Sequence, residues 1–125
     1  MHLAETSKII LADDTPSMLT GMRRALAQLG CTQVIEAENG VEALASLKTN
    51  PDAALIISDW NMEPMDGLAF LAAVRADPDF QGLPFILATA DANPTLREKA
   101  AKLGVSLVLA KPFDAATLRK AIASL

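Results

Sequence analysis

The sequence predicts an α/β fold: a doubly wound, five-stranded parallel sheet with five helices in (βα)5 alternation. Two features carry that expectation. Five short apolar runs are continuous rather than alternating, as strands covered on both faces require. Each run is followed by a segment whose apolar residues recur at helical spacing. Such strand and helix pairs join through right-handed crossovers into a parallel sheet sandwiched between helices. With 125 residues the chain has material for one core, so a single domain is expected over residues 1–125.

The elements follow in order. The first strand is expected at 8–12, and Thr15-Pro16 opens the first helix, because proline suits a first helical position. Met18, Met22, Ala25, Leu26 and Leu29 share its inner face, and Gly30 suits its left-handed end. A second strand at 34–37 leads to Asn39, with Glu42 three residues on, a helix start. Pro51 follows that helix. The third strand is expected at 53–58, with Asp66-Gly67 starting a helix and Pro78 closing it. A fourth at 84–88 precedes Asn93-Pro94, a helix with Leu96, Ala100 and Leu103 on one face, and Gly104 at its end. The fifth strand, at 106–110, runs to a helix opened by Asp114.

Composition narrows the function. Hydrophobic residues make up 51% and charged residues 21%, which favours a packed core over disorder. A net charge of −4 and a pI near 4.8 leave no basic stripe for nucleic acid or anionic lipid. No apolar run approaches the roughly 20 residues of a membrane span, and residues 1–7 lack a basic segment followed by an apolar one. A soluble, cytoplasmic protein with no membrane insertion is expected. Cys31 is alone, so it forms no internal disulfide, and no Cys or His cluster exists to hold zinc.

Ligands of doubly wound sheets bind beyond the carboxyl ends of the strands. Asp13 and Asp14 follow the first strand, Asp59 and Asn61 the third, Thr89 the fourth and Lys111 the fifth. Close carboxylates repel by about 4 kcal/mol per pair at an effective dielectric near 20, so something positive must offset them. Lys111 supplies one charge. A hard divalent ion supplies the rest, and magnesium suits a site with a few carboxylates, retained waters and a phosphate. Asp59 then serves as a nucleophile toward an activated phosphoryl group, with Lys111 and the Thr89 hydroxyl binding its oxygens. Each residue alone reads more plainly: Asp13 and Asp14 as helix caps, Asp59-Trp60-Asn61 as a turn, Lys111 as a solvated charge, Thr89 as a strand hydroxyl. The set outweighs those readings.

The segments Leu11-Ala12-Asp13-Asp14, Ser58-Asp59-Trp60-Asn61-Met62, Met65-Asp66-Gly67-Leu68, Ala88-Thr89-Ala90 and Lys111-Pro112-Phe113 together resemble the response-regulator receiver family, especially its single-domain, chemotaxis-type (CheY-like) members. The resemblance covers essentially the whole chain. It implies a flavodoxin-like, CheY-like strand order of 2-1-3-4-5. It also implies that Asp59 is the phosphoacceptor, that Asp14 binds Mg2+ directly, Asp13 through water and Asn61 through its backbone carbonyl, and that Mn2+ substitutes. Thr89 and Lys111 are implied to hold the phosphoryl oxygens, and the Lys111-Pro112 peptide to be cis.

Two departures from the family pattern stand out. Val108 occupies the place of an aromatic switch residue, so inward movement of Thr89 is expected to reach the output surface through backbone and aliphatic packing. Glu63 stands where the family usually has proline, adding charge near the metal mouth. Asn61 and Asp91 lie two residues beyond the acceptor and the hydroxyl residue and are expected to tune dephosphorylation.

The implied partners are a sensor histidine kinase or histidine phosphotransfer protein and a downstream protein, the flagellar motor switch among them. The implied output face, formed by the fourth helix, fifth strand and fifth helix, includes Arg97, Lys102, Arg119 and Lys120. With the chain ending at Leu125, the alternatives are a phosphorelay intermediate, a receiver excised from a larger regulator, or a phosphorylation-independent interaction module. No separate small-molecule turnover is expected. A haloacid-dehalogenase-like phosphatase would need an Asp-x-Asp after the first strand and a cap domain. A flavodoxin-like carrier would need a phosphate loop where Asp13-Asp14-Thr15-Pro16 would repel phosphate.

Overall fold

A computed structural model describes all residues, 1–125. The elements alternate as β1 (Lys8–Ala12), α1 (Pro16–Gln28), β2 (Gln33–Ala37), α2 (Gly40–Thr49), β3 (Leu55–Asp59), α3 (Gly67–Ala76), β4 (Phe85–Thr89), α4 (Pro94–Lys102), β5 (Leu107–Ala110) and α5 (Ala115–Ala123). The five strands are parallel, in the order β2-β1-β3-β4-β5.

The two faces of the sheet explain the continuous apolar runs. Ile9 and Leu11, Leu55 and Ile57, and Ile86 and Ala88 pack with Leu19, Met22 and Leu26 of α1 and Leu118 and Ile122 of α5. Their strand neighbours Ile10, Ile56, Phe85 and Leu87 pack on the other face with Leu47 of α2, Phe70, Leu71 and Val74 of α3, and Leu96 of α4. Successive strand residues point to opposite faces, so central strands must be apolar at every position. The edges relax this: Gln33 and Glu36 of β2 and Ala110 of β5 are exposed, because an edge strand is covered incompletely.

All five expected helix starts are realised. Asn39, Asp66, Asn93 and Asp114 accept hydrogen bonds from the N–H groups of Glu42, Ala69, Leu96 and Thr117 at 2.8–2.9 Å. Thr15 makes no such side-chain bond; there Asp13 Oδ1 accepts the Thr15 N–H at 3.0 Å. Gly30 and Gly104 take the left-handed conformation, with φ of 85° and 88°. Cys31 is buried, and that burial raises its thiol pKa.

Strand bounds differ from the sequence expectation in an informative way. β3 starts later, at Leu55, because residues 50–53 form a turn in which the Ala53 N–H donates to the Asn50 carbonyl, and β4 starts one residue later, at Phe85. They also run one residue further, so that Asp59 pairs with Ala88 and Thr89 with Ala110. Two residues expected just past the strands are thus held by the sheet itself.

Candidate phosphoryl-transfer site

The site lies across the carboxyl ends of β1, β3, β4 and β5. The Asp13 N–H donates to the Ala37 carbonyl at 3.0 Å, which ties the first carboxylate to the end of β2. Asp13 is fully buried and both of its oxygens are engaged. Oδ1 accepts the Thr15 N–H, and Oδ2 accepts from Lys111 Nζ at 2.7 Å. Asp14 is exposed, with only a long 3.4 Å contact from the Thr15 hydroxyl. Asp59 Oδ1 accepts the Trp60 N–H at 2.8 Å and lies 3.3 Å from Lys111 Nζ.

Lys111 is aimed inward by its backbone. Its N–H donates to the Thr89 carbonyl at 2.8 Å, and the Lys111–Pro112 peptide is cis, as the resemblance implied. Its side chain is 8% exposed, so the ammonium sits inside the acid cluster and not in solvent. The Thr89 hydroxyl accepts the Asp91 N–H at 3.1 Å, which leaves its own proton free to donate.

Carboxylate oxygens of Asp13, Asp14 and Asp59 lie within 4.8 Å of one another. Burial pushes the Asp59 carboxyl above its ordinary pKa and the Asp13 charge adds to this, while Lys111 and the Trp60 N–H oppose it. Three carboxylates against one ammonium leave negative charge uncompensated, and all the donors are hard oxygens, so the residues fit a small divalent cation.

Two open clefts meet at the cluster. One, of about 350 Å³, is lined by Asp59, Lys111, Asn61, Thr15 and Ala90, among others. The other, of about 400 Å³, is lined by Asp14, Asn61, Met62, Glu63 and Asp66. Asn61 borders both, and Glu63 lines the second together with Asp14. Asp91 is exposed and lines neither cleft. Val108 lies on β5 opposite Leu87 and packs against the α2–α4 core, apart from the carboxylates.

Sequence reasoning missed the role of Gly67. A Cβ there would fall onto the Asp59 carbonyl, so the start of α3 approaches Asp59 as only glycine allows. The signal was the Asp66-Gly67 pair, which also reads as an ordinary helix start. The loop before it was not legible either: Glu63–Pro64 is a second cis peptide, and Met65 takes a left-handed φ of 63°.

Comparison with known proteins decides the family. Residues 9–123 match the response regulator receiver domain. This chain belongs to the response regulator receiver family. The receiver is 38% identical over 122 residues to a "Probable chemotaxis protein CheY" of Rhizobium etli, covering 98% of this chain and 94% of that protein. It is 37% identical over 113 residues to "Chemotaxis protein CheY1" of Helicobacter pylori J99, covering 90% and 91%. Among solved structures it resembles the chemotaxis response regulator CheY4 of Vibrio cholerae, with a TM-score of 0.86, 31% identity and coverage of 95% and 98%. It is a receiver of the CheY type, a family of phosphorylation-dependent signalling domains. No helix of the receiver is long and apolar enough to cross a membrane.

Proposed function

We propose that this receiver takes a phosphoryl group from a phosphohistidine donor onto Asp59 and thereby changes which protein it binds. The observation that supports this most is Lys111 Nζ between Asp13 and Asp59, at 2.7 and 3.3 Å, within a three-carboxylate cluster that opens to two clefts. An Asp59 carboxylate oxygen attacks phosphorus, the bond from phosphorus to the donor imidazole nitrogen breaks, and that nitrogen keeps the electron pair and takes up a proton. Lys111 and the Thr89 hydroxyl bind phosphoryl oxygens. Asp14, Asp13, Asp59 and the Asn61 carbonyl would hold magnesium, or manganese in its place. The ion, when bound, neutralises charge on the transferring group.

Asn61, Glu63 and Asp91 tune the metal and the water that later hydrolyses the aspartyl phosphate. Thr89 moves toward the phosphoryl group, and the packing around Val108 passes the change to α4, β5 and α5. Arg97, Lys102, Arg119 and Lys120 are exposed there and suit an acidic partner surface. Residues 1–125 work in the cytoplasm as one unit, between a histidine kinase or histidine phosphotransfer protein and a protein target such as a flagellar motor switch. No separate small substrate is turned over.

Intact-mass measurement after incubation with acetyl phosphate and magnesium tests the reading. A gain of one phosphoryl group is expected, and it is expected to disappear with EDTA or in Asp59→Asn. No gain from acetyl phosphate or from a phosphohistidine donor would overturn the proposal in favour of a phosphorylation-independent module.

A further inference from the structure

Thr89 and Val108 offer an aliphatic route from the acceptor to the surface, but the chain's one tryptophan stands closer to the chemistry. Trp60 follows the acceptor directly, and its N–H donates to Asp59 Oδ1, the oxygen that also faces Lys111. Its carbonyl accepts the Gly67 N–H at 2.8 Å, so the peptide groups on either side of its Cα are held, one by the acceptor and the other by the start of α3. Its side chain is half-buried and packs against the core cluster that contains Leu96 and Ala100 of α4. On its exposed side a cleft of about 400 Å³ separates Trp60 from the first turns of α4, with Asn93, Pro94, Thr95, Leu96 and Lys99 as the facing wall.

These contacts give Trp60 two coupled ends. Phosphorylation converts a carboxylate oxygen into the bridging oxygen of an acyl phosphate or turns the carboxyl group, and either change alters what the Trp60 N–H meets. A shift of that peptide carries the indole with it. The indole is large and rigid, with two rotatable bonds, so it displaces its neighbours instead of absorbing the motion. The first turns of α4 form the facing wall of the cleft, and the cleft supplies the room for the indole to close on them.

We infer that Trp60 is a relay from the acceptor to α4, a second, aromatic route in a receiver whose residue 108 is aliphatic. The inference rests on Asp59 being the acceptor. Trp60 acts through Asp59 and α4 and is a positioning residue, not a catalytic one.

Backbone amide NMR of the native protein, Trp60→Phe and Trp60→Ala tests it, each recorded before and after loading with beryllofluoride and magnesium. Intact-mass measurement with acetyl phosphate runs in parallel. The expected result is that all three gain one phosphoryl group and show comparable loading shifts at Asp13 and Asp14. Loading shifts over residues 94–100 should fall to less than about half of the native value in Trp60→Ala and largely return in Trp60→Phe. A purely structural role would change the unloaded spectrum and leave the loading shifts in place. Native-sized loading shifts over 94–100 in Trp60→Ala would overturn the relay alone. Absence of any phosphoryl gain in the native protein would overturn the functional reading, and the relay with it. If the alanine variant loses its dispersed spectrum, Trp60→Leu makes the same comparison with the side-chain volume better kept.

Discussion

Lys111 is the one ammonium among three carboxylates, and its removal strands a fully buried partner. Asp13 has no exposed surface, and Lys111 Nζ sits 2.7 Å from its Oδ2. Breaking a buried pair from one side costs about 3–5 kcal/mol, because the remaining charge keeps its desolvation penalty. Lys111→Met is therefore expected to lose about 3 kcal/mol in EDTA and to regain part of it in magnesium, as urea unfolding would measure. Asp59 behaves in the opposite sense. Its carboxyl titrates above its ordinary value because it is buried, so the folded protein binds that proton more tightly than the unfolded chain. Between the unfolded value, about 4, and the raised folded value, stability falls as pH rises. In EDTA, urea midpoints of the native protein should decline across that window, while Asp59→Asn should decline less and be the more stable above it. An identical pH profile for the two proteins would show that Asp59 is not held in an unfavourable charge state.

At the scale of elements, the close approach of α3 to β3 makes Gly67 a site residue in effect. Gly67→Ala drives a methyl group into the Asp59 carbonyl, and overpacking of this kind costs about 1–3 kcal/mol. Because the displaced backbone is that of Asp59, the proposed acceptor, phosphoryl uptake from acetyl phosphate should slow together with the loss of stability. Asn93→Ala is the contrasting case: it removes the cap of α4, at a cost of about 1 kcal/mol, and should leave uptake intact. Both are read by urea midpoint and intact mass. The same contrast marks what the sequence made legible. Caps such as Asn39, Asp66, Asn93 and Asp114 are local chemistry written in neighbouring residues, and the central strands declare themselves because both faces demand apolar side chains. The carboxylates, Thr89 and Lys111 were legible as a set because fold class alone brings strand ends together. The reach of β3 and β4 through Asp59 and Thr89, the left-handed Met65 and the contact of Gly67 with Asp59 depend on backbone paths between distant residues, which no local pattern records.

For the whole molecule, the site and the core share a single sheet. Asp13 lies just past β1, Asp59 on β3, Thr89 on β4 and Lys111 just past β5, and these strands carry the residues that both helical layers pack against. A ligand that bridges the strand ends in the folded state alone must therefore stabilise the fold as a unit and not merely the loops that touch it. Magnesium at about a hundred times its dissociation constant should add roughly 2.7 kcal/mol to the unfolding free energy. The urea dependence should shift its midpoint without changing slope, since the surface exposed on unfolding is unchanged. Amide hydrogen exchange should slow in step across the slowest-exchanging amides of β1, β3 and β4. In Asp14→Asn the gain should shrink, because an exposed carboxylate of the cluster is lost with little cost to the fold. If magnesium slowed exchange only in the loops after β1 and β3 and left the midpoint in place, the site would be opening separately from the sheet. The ion would then bind a locally unfolded edge as readily as the native strand ends.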